Sequence, residues 1–505
     1  MTLAKPTLQD NTADIDRLIS ALKTDLQTDA VHIDLDLIKK LPDLLRKWEY
    51  NLRCILFKDR CRWLVTGVAG VNEVRTFAGL AVDLGTTKVV LRLLDLADGR
   101  TLGESGLDNP QLVVGPDILA RIHFAETAGG LERLNELIIT GLNQSVQNLC
   151  RSCRLFPQNI HAVTVAGNTT MTHLLMGIDP RWIIREPYIP LINKPGILKA
   201  TDLGIQVNDG ARVFIFPNVG SYFGGDLIAG IFFANLHRQS DTAILVDVGT
   251  NAEVVVGNES WLIACAGAAG PALEGGMTKM GMVAGPGVVD RIAIDPDTHE
   301  LKLHTIDGVP PKGICGSGII DLAAALFLSG MIDIRGKFVP AACGKHLKKI
   351  DGLAHLVIVP ANDSATGSEL TISQADLDSL IRSKAAMYTI LETITTSVGI
   401  HLTELTSFFI GGTFGAFIDP SAAIAIGMLP DLPLERYKPL GNTSLGGAAL
   451  ALTSVDFLEE IDGIRDRITY LELNVNQEFM NRFSAAKFLP HTNASLFPSV
   501  NKELC

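Results

Sequence analysis

Two near copies of one short phrase constrain this chain more than any other feature. They are AVDLGTT at residues 81–87 and LVDVGTN at residues 245–251. In each, an apolar run typical of a buried strand leads to an aspartate, an apolar residue, a glycine and small polar residues. The glycine permits a tight turn whose backbone N–H groups and hydroxyls can face a phosphate. The repetition predicts a duplicated domain with a phosphate-binding hairpin in each half and a nucleotide clamped between two lobes.

The first phrase continues through Lys88 and places a carboxylate beside the predicted phosphate loop. Hydrated Mg²⁺ prefers one or two carboxylates together with phosphate oxygens. We therefore expect Asp83 to be catalytic and to bind magnesium through water. The residues expected to bind the nucleotide phosphates are Gly85, Thr86, Thr87 and Lys88. The alternative, a tight hairpin without a ligand, is disfavoured by the second copy.

The second phrase supplies Asp247, followed by the predicted nucleotide-binding residues Gly249, Thr250 and Asn251. We expect Asp247 to be catalytic and to face Asp83 across the cleft. One carboxylate would serve the metal while the other orients a water or hydroxyl nucleophile, and the pattern leaves open which does which. Glu253 is either a surface strand residue or a third catalytic carboxylate.

Three further glycine-rich or polar turns follow apolar runs. Gly411, Gly412 and Thr413 come after the apolar run FFI, where glycines allow close approach to adenine or ribose. The segments AGNTT, which contains Asn168, and GSG at residues 316–318 lie between a strand and a helix. Asn168 and Ser317 are therefore either ligand-binding residues or helix caps.

Composition excludes several classes of function. The formal net charge is −12 and no Lys/Arg-rich run occurs, so nucleic acid is not an expected partner. The N-terminus is polar and acidic, and no apolar stretch approaches the ~18 residues that span a membrane. A cytoplasmic protein is the expectation. Cys150 and Cys153 form a lone CxxC, which lacks the partners of a four-ligand metal site. His173 is expected to be a packed helix residue.

With these segments in order, the chain resembles the actin, sugar-kinase and heat-shock-chaperone superfamily of ATPases (ASKHA). Within that superfamily it resembles the ATP-dependent reductive activators of corrinoid proteins, over about residues 30–505. The segments that carry the resemblance are AVDLGTTKVV, GPDILARI, AGNTTMTHLLMG, LVDVGTNAEVVV, AGPALEGGM, GPGVVDRI, ICGSGIID, SKAAMY, FFIGGTFGAFID, GNTSLGGAALAL and EFMNRFSAAKFLPH.

The resemblance implies an α/β chain with a duplicated ribonuclease-H-like, actin-like ATPase fold and a small N-terminal α+β unit. The expected divisions are a loosely packed polar extension at 1–29, an α+β unit at 30–77, lobe I at 78–240, lobe II at 241–440 and a C-terminal segment at 441–505 that packs on the ATPase core. The resemblance also assigns Asp83, Thr86 and Thr87 to the first phosphate motif. The second motif would comprise Asp247, Gly249, Thr250 and Asn251, and the adenosine motif Gly411, Gly412 and Thr413.

The activity implied is ATP binding and hydrolysis coupled to reduction of cob(II)alamin to cob(I)alamin in a corrinoid methyltransferase protein. ATP and Mg²⁺ are the expected cofactors, a corrinoid protein the expected partner, and a homodimer the expected assembly. Many such activators carry a 2Fe–2S domain, whose plant-type motif is C-x4-C-x2-C plus a fourth cysteine. No such spacing occurs here, so we expect no iron–sulfur cluster in this chain and a separate low-potential electron donor. The alternatives are a small-molecule, sugar-type kinase and a regulatory nucleotide-binding protein of the same fold.

Overall fold

The computed structural model describes residues 1–73, 75–221, 223–249, 252–267, 280–295, 297–415, 417–471 and 477–503. The chain forms two compact units. Unit 1 comprises Met1–Phe233 and Thr443–Asp466, and unit 2 comprises Ala234–Asn442 and Arg467–Cys505. Among the described residues, no helix is both long and apolar enough to cross a membrane.

The described α-helices are α1 Asp14–Leu26, α2 Leu35–Ile38, α3 Leu41–Lys47, α4 Ile118–Ala125, α5 Gly130–Ser152, α6 Thr169–Leu175, α7 Gly225–Ala234, α8 Gly316–Leu328, α9 Pro340–Cys343, α10 Gln374–Ser397, α11 Gly412–Gly415, α12 Pro420–Ala425, α13 Thr443–Thr453, α14 Phe457–Arg467, α15 Gln477–Ala486 and α16 Pro498–Glu503. The described strands are β1 Val31–Ile33, β2 Leu52–Asp59, β3 Arg62–Gly70, β4 Ala78–Leu84, β5 Lys88–Asp95, β6 Thr101–Asp108, β7 Ile160–Gly167, β8 Ile197–Lys199, β9 Arg212–Ile215, β10 Ala243–Val248, β11 Ala252–Gly257, β12 Leu262–Gly267, β13 Val288–Ile294, β14 Leu301–Thr305, β15 Gly313–Ile314, β16 Leu347–Ile350, β17 Leu353–Val359, β18 Leu370–Ser373, β19 Ser407–Gly411, β20 Tyr437–Gly441 and β21 Ile468–Tyr470.

The N-terminal residues form a small packed layer rather than the expected loose extension. Leu18 and Leu22 of α1 are buried in one apolar cluster with Leu41 and Leu45 of α3. This cluster covers a three-stranded sheet of order β1-β3-β2. The expectation for residues 1–29 was wrong because their polar residues mask an amphipathic helix, whose apolar side becomes buried only against residues 31–65.

The main sheet of unit 1 has the strand order β6-β5-β4-β7-β9-β8. Strands β4, β5 and β6 form an antiparallel meander, while β4, β7 and β9 are mutually parallel neighbours. Helix α5 supplies the apolar layer on one face, and α13 lies against β4 and β7. The Thr164 hydroxyl on β7 donates a hydrogen bond of 2.7 Å to the Ala448 carbonyl of α13. Both faces of β4 are therefore covered, which explains its nearly continuous apolar sequence.

The main sheet of unit 2 repeats this arrangement. Its order is β20-β19-β10-β11-β12-β21, with β10, β11 and β12 as an antiparallel meander and β10, β19 and β20 parallel. In spatial order, the strands β12-β11-β10-β19-β20 of unit 2 thus match the strands β6-β5-β4-β7-β9 of unit 1 in both position and direction. The duplication predicted from the two short phrases is confirmed. The described part of unit 2 also contains smaller sheets of order β14-β13-β15 and β16-β17-β18 and the long helix α10.

The C-terminal segment predicted as one piece at 441–505 is divided between the units. Residues 443–466, with α13 and most of α14, belong to unit 1, while residues from 467 onward belong to unit 2. There, β21 adds to the edge of the sheet beside β12, and α15 packs against α10. The segment does pack on the two main cores, but on each of them through a different part.

Candidate functional site

The first candidate site lies where β4 ends in unit 1. Asp83 is half-buried, and its Oδ1 accepts a hydrogen bond of 2.8 Å from the Ser444 hydroxyl in the first turn of α13. Side chains alternate between the two faces of a strand, so Asp83 shares a face with Ala81, which pairs with Thr164. That is the face that α13 covers, and the first turn of α13 therefore meets the carboxylate. Sequence reasoning did not single out Ser444.

The turn between β4 and β5 is closed tightly by backbone contacts. A Cβ on Gly85 would lie 2.4 Å from the Lys88 carbonyl oxygen, so no other residue fits without moving the turn. Asn109, buried just after β6, donates from Nδ2 to the Gly85 carbonyl at 2.8 Å, and its backbone N–H donates to the Thr87 carbonyl at 2.8 Å. Thr87 and Lys88 are exposed, so their side chains are open to a ligand.

Asn168 caps a helix and also touches the first hairpin, and its assignment to nucleotide binding stays a prediction. Its Oδ1 accepts from the Met171 N–H at 2.9 Å, which caps α6. Its Nδ2 donates to the Thr86 hydroxyl oxygen at 3.0 Å and so joins the end of β7 to the phosphate hairpin. Ser317, by contrast, lies inside the first turn of α8 and is not its cap; Cys315 occupies the N-cap position.

Arg121 is a further residue of this site that sequence reasoning missed. It lies on α4, and its side chain is fully buried. Its Nη2 donates to the Thr86 carbonyl at 2.7 Å, and its Nε donates to the Gly115 carbonyl at 3.0 Å. Burial lowers the pKa of Arg121 to about 10. The segment GPDILARI contributes to the family resemblance, but no local pattern shows that its arginine points inward.

A second carboxylate, Asp226, comes close to the same edge of the sheet. A Cβ on Gly224 would lie 2.3 Å from Asn168 Cα and 2.5 Å from Asp226 Oδ1, so both groups are neighbours of Gly224. The Thr169 hydroxyl donates to the Gly220 carbonyl at 3.0 Å, which ties the loop after β9 to the start of α6. The carboxyl ends of β4, β7 and β9 thus meet in one polar region, as ligand sites in parallel sheets do.

The second candidate site lies at the end of β10 in unit 2. Asp247 pairs in register with Glu253 on β11 and with Gly411 on β19. Gly412 has φ +82°, and a Cβ there would lie 2.5 Å from the Val248 carbonyl oxygen and 2.9 Å from Asp247 Oδ1. Position 412 therefore requires glycine for two reasons: its positive φ disfavours other residues, and there is no room for a Cβ. The structure brings the predicted adenosine motif against the second phosphate motif.

Some predicted residues lie outside the described part of the chain. Thr250 and Asn251 are not among the described residues, and the side chain of Thr413 is likewise outside them. Gly249 is half-exposed beside Val248. The assignments of all of these residues to nucleotide binding stay predictions.

The remaining cysteine and histidine candidates lie within helices or at a helix end. Cys150 is buried in α5 and Cys153 ends that helix, and both are free thiols. Within the described ranges, no group of three or more His, Cys, Asp or Glu residues is placed to hold a metal ion. His173 is fully buried, with its Nδ1 at 2.7 Å from the Thr169 carbonyl oxygen, and burial lowers its pKa.

Comparison with known families matches the chain along most of its length. The RACo linker region matches residues 1–73, the RACo middle region matches 78–239, and the C-terminal domain of RACo, the ASKHA domain, matches 241–501. These three matches follow one another in the order of the family's own regions. The ASKHA fold implies nucleotide binding, in agreement with the two hairpins.

Individual relatives agree with the family match. The corrinoid activation enzyme RamQ of Eubacterium limosum is 29% identical over 482 residues, which cover 91% of this chain and 81% of that protein. The [Co(II) methylated amine-specific corrinoid protein] reductase of Methanosarcina barkeri is 23% identical over 436 residues, covering 80% of this chain and 75% of that protein. A solved structure of a reductive activator for corrinoid, iron–sulfur protein superposes with a TM-score of 0.90 at 36% identity, covering 99% of this chain and 80% of the other. The duplicated α/β fold, the paired hairpins and these matches together show that the chain belongs to the RACo family, with an ASKHA domain at its C-terminal end.

Proposed function

We propose that this protein is an ATP-dependent activator that assists reduction of cob(II)alamin to cob(I)alamin in a corrinoid protein. The observation that carries the proposal is the match to a reductive activator for corrinoid, iron–sulfur protein over 99% of the chain at a TM-score of 0.90. Two relatives named for corrinoid activation and for reduction of a corrinoid protein support the same activity. The partner proposed is accordingly a corrinoid protein.

ATP and Mg²⁺ are the proposed cofactors, and the residues of the first hairpin suit them. Asp83 is half-buried beside a closed turn, and Ser444 holds its carboxylate in one orientation. This is the type of oxygen ligand that hydrated Mg²⁺ takes next to phosphates. When bound, the ion would offset charge on the β- and γ-phosphates. Asp83 would hold the ion through water, while Thr86, Thr87 and Lys88 would face the phosphates.

Asp247 and Gly412 of unit 2 are proposed to take part in nucleotide binding as well. Gly412 lets the backbone approach a flat ligand, and it lies against the Asp247 carboxylate. In hydrolysis, a water adds to the γ-phosphorus and the bond to the bridging oxygen of ADP breaks. An aspartate carboxylate can orient that water or serve the metal ion, and Asp83 and Asp247 are the proposed candidates for these two roles.

The electron is proposed to come from a separate low-potential donor. Reduction of cob(II)alamin takes up one electron at cobalt, and ATP hydrolysis itself supplies none. The cysteines of this sequence do not have the spacing of a plant-type cluster, in accord with an external source. Hydrolysis would therefore drive a change in the complex with the corrinoid protein that makes this uphill transfer possible.

A homodimer is proposed for the assembly.

The deciding experiment follows MgATP hydrolysis by the purified protein with and without a cob(II)alamin-loaded corrinoid protein from the same source. The cobalamin spectrum is recorded in the same cuvette, with a low-potential donor present or omitted. We expect hydrolysis to increase with the corrinoid protein, and cob(I)alamin to appear only when ATP and donor are both present. If the rate of hydrolysis is the same with and without the corrinoid protein and no cob(I)alamin forms, the proposal is contradicted and a kinase or regulatory ATPase is favoured.

A further inference from the structure

Arg121 carries a fully buried positive charge beside the first hairpin, and its described hydrogen bonds all go to neutral groups. The acceptors are the carbonyl oxygens of Thr86 and Gly115, the amide oxygen of Gln111 and the sulfur of Met171. Among the described residues, no carboxylate lies within salt-bridge distance of its guanidinium. The nearby acidic group that acts on it is Asp117, whose carboxylate caps α4 by accepting from the Ala120 N–H at 2.8 Å.

A buried charge without an opposite charge is costly, because the loss of hydration is only partly offset by carbonyl dipoles. Burial lowers the pKa of Arg121 to about 10, so the side chain still carries its charge at neutral pH. The protein therefore maintains an unneutralised cation at this position. Its shortest hydrogen bond to oxygen goes to Thr86, in the middle of the hairpin.

The contacts of Thr86 show how Arg121 acts on the hairpin. Arg121 holds the Thr86 carbonyl from one side, while Asn168 Nδ2 donates to the Thr86 hydroxyl oxygen at 3.0 Å. Asn109 holds the carbonyls of Gly85 and Thr87 in the same way. In a trans peptide the C=O and the following N–H point in opposite directions, so the N–H groups of Thr86, Thr87 and Lys88 point away from these donors. That orientation suits a bound anion.

We propose that Arg121 is a positioning residue of the first phosphate hairpin, which it holds in the anion-binding conformation through Thr86. Its charge also stabilises the state in which phosphate groups occupy the hairpin, because a nearby polyanion offsets a cation that is otherwise unneutralised. The inference deepens the proposed function and rests on the proposed nucleotide site. It assigns a role to a residue that does not itself contact the nucleotide.

The test compares Arg121→Met, which removes the charge, with Arg121→Lys, which keeps the charge but lacks the planar fork. The matched control is Arg133→Met on the exposed surface of α5, where the arginine pairs with Glu136. Binding of MgADP is measured by calorimetry, and the melting temperature is measured with and without MgADP. We expect Arg121→Met to raise the Kd by about tenfold or more, equivalent to ~1.4 kcal/mol.

The melting temperatures separate positioning from a merely structural role. A structural role would lower the melting temperature of the free and the bound protein equally and leave the rise on adding MgADP unchanged. The proposal requires Arg121→Met to shrink that rise, Arg121→Lys to restore part of it, and Arg133→Met to retain all of it. If Arg121→Met does not fold, Arg121→Lys carries the test, and an unchanged Kd in that variant overturns the inference.

Failure of the inference and failure of the proposed function give different results. Wild-type affinity for MgADP in both Arg121 variants overturns the role of Arg121 alone. No measurable binding of MgADP or MgATP by the wild-type protein overturns the nucleotide site and the inference with it. As a further readout, kcat and KM for ATP are measured with the corrinoid protein present. A misplaced hairpin should raise KM and lower kcat together.

Discussion

At the residue scale, the carboxylate of Asp83 depends on a hydroxyl that lies 361 positions away in the sequence. A hydrogen bond to an ionised carboxylate is among the stronger ones in proteins, and here it fixes the orientation of the side chain. The carboxylate is thereby set before any ligand arrives, which lowers the cost of binding a metal ion or water in the correct geometry.

The two aspartates give the first prediction. We expect Asp83→Asn and Asp247→Asn each to lower MgATP turnover by about 100-fold or more, since the amide cannot replace the charge that serves a metal ion or a water. Turnover is measured with the corrinoid protein present, and Asp98→Asn, in the exposed turn after β5, is the control. Full activity in both site variants would show that neither hairpin takes part in the chemistry.

The second prediction concerns Gly85. We expect Gly85→Ala to abolish high-affinity nucleotide binding, because its Cβ would lie 2.4 Å from the Lys88 carbonyl oxygen and must displace the turn. The control is Gly106→Ala on β6, where the nearest atom would be 3.9 Å away. Titration of MgADP measures both variants. An unchanged Kd for Gly85→Ala would mean that the turn does not contact the nucleotide.

At the scale of elements, α10 is joined to the chain that follows α15 by one buried lysine. Lys384 is fully buried, and its Nζ donates to the carbonyls of Phe488 at 2.5 Å and Pro490 at 2.8 Å. Burial lowers its pKa to about 7, and burial together with the Lys384 charge lowers the pKa of neighbouring His491. The lysine satisfies two carbonyls that would otherwise lack donors, at the cost of a buried charge.

The third prediction is a pH dependence that follows from Lys384. Between the folded pKa of about 7 and the ordinary lysine pKa of 10.5, the unfolded chain binds more protons than the folded protein. Stability from this group is therefore complete above the unfolded pKa and is lost as the pH falls toward 7. We expect Lys384→Met to reduce the rise in the urea midpoint between pH 7 and pH 10.

The control for this prediction is Lys345→Met, whose side chain is exposed. It should leave the pH dependence of the urea midpoint as in the wild-type protein. If the Lys384→Met variant shows the same pH dependence as wild type and control, the lysine titrates normally in the folded state. The two carbonyl acceptors would then outweigh the effect of burial.

At the scale of the whole molecule, the C-terminal part of the chain completes both units. Residues 443–466 belong to unit 1 and supply Ser444 and α13, while residues from 467 onward belong to unit 2 and supply β21 and α15. Close packing of α13 on α7 depends on Gly447, where a Cβ would lie 2.1 Å from the Ala229 carbonyl oxygen. Neither unit is therefore complete without the C-terminal part.

The fourth prediction follows from this division. A chain that stops after Asn442 should bind no nucleotide, because unit 1 loses the partner of Asp83 and the cover of β4 and β7. The control stops after Glu503. Solubility, circular dichroism and MgADP titration are compared for the two. A truncated protein with wild-type affinity would show that residues 443–505 are not needed to form the first hairpin.

The division between what was predictable and what was not follows the range of the interactions. The strand, aspartate and glycine of each hairpin are encoded within seven consecutive residues, so the duplication and the positions of Asp83 and Asp247 could be read directly. The close approach of Gly412 to Asp247 was predictable only in outline, since the pairing of β19 with β10 brings together segments 164 residues apart.

The sequence by itself therefore determined the local elements, the repeated hairpins and the family, because these depend on short patterns of apolar, glycine and carboxylate residues. Only the tertiary structure decided which distant groups hold the hairpins in place. Ser444, Asn109 and Arg121 act through contacts across the sheet, and α1 becomes part of a core rather than an extension. Such contacts depend on which helix covers which face, and an amphipathic pattern specifies that a face is covered without specifying by what.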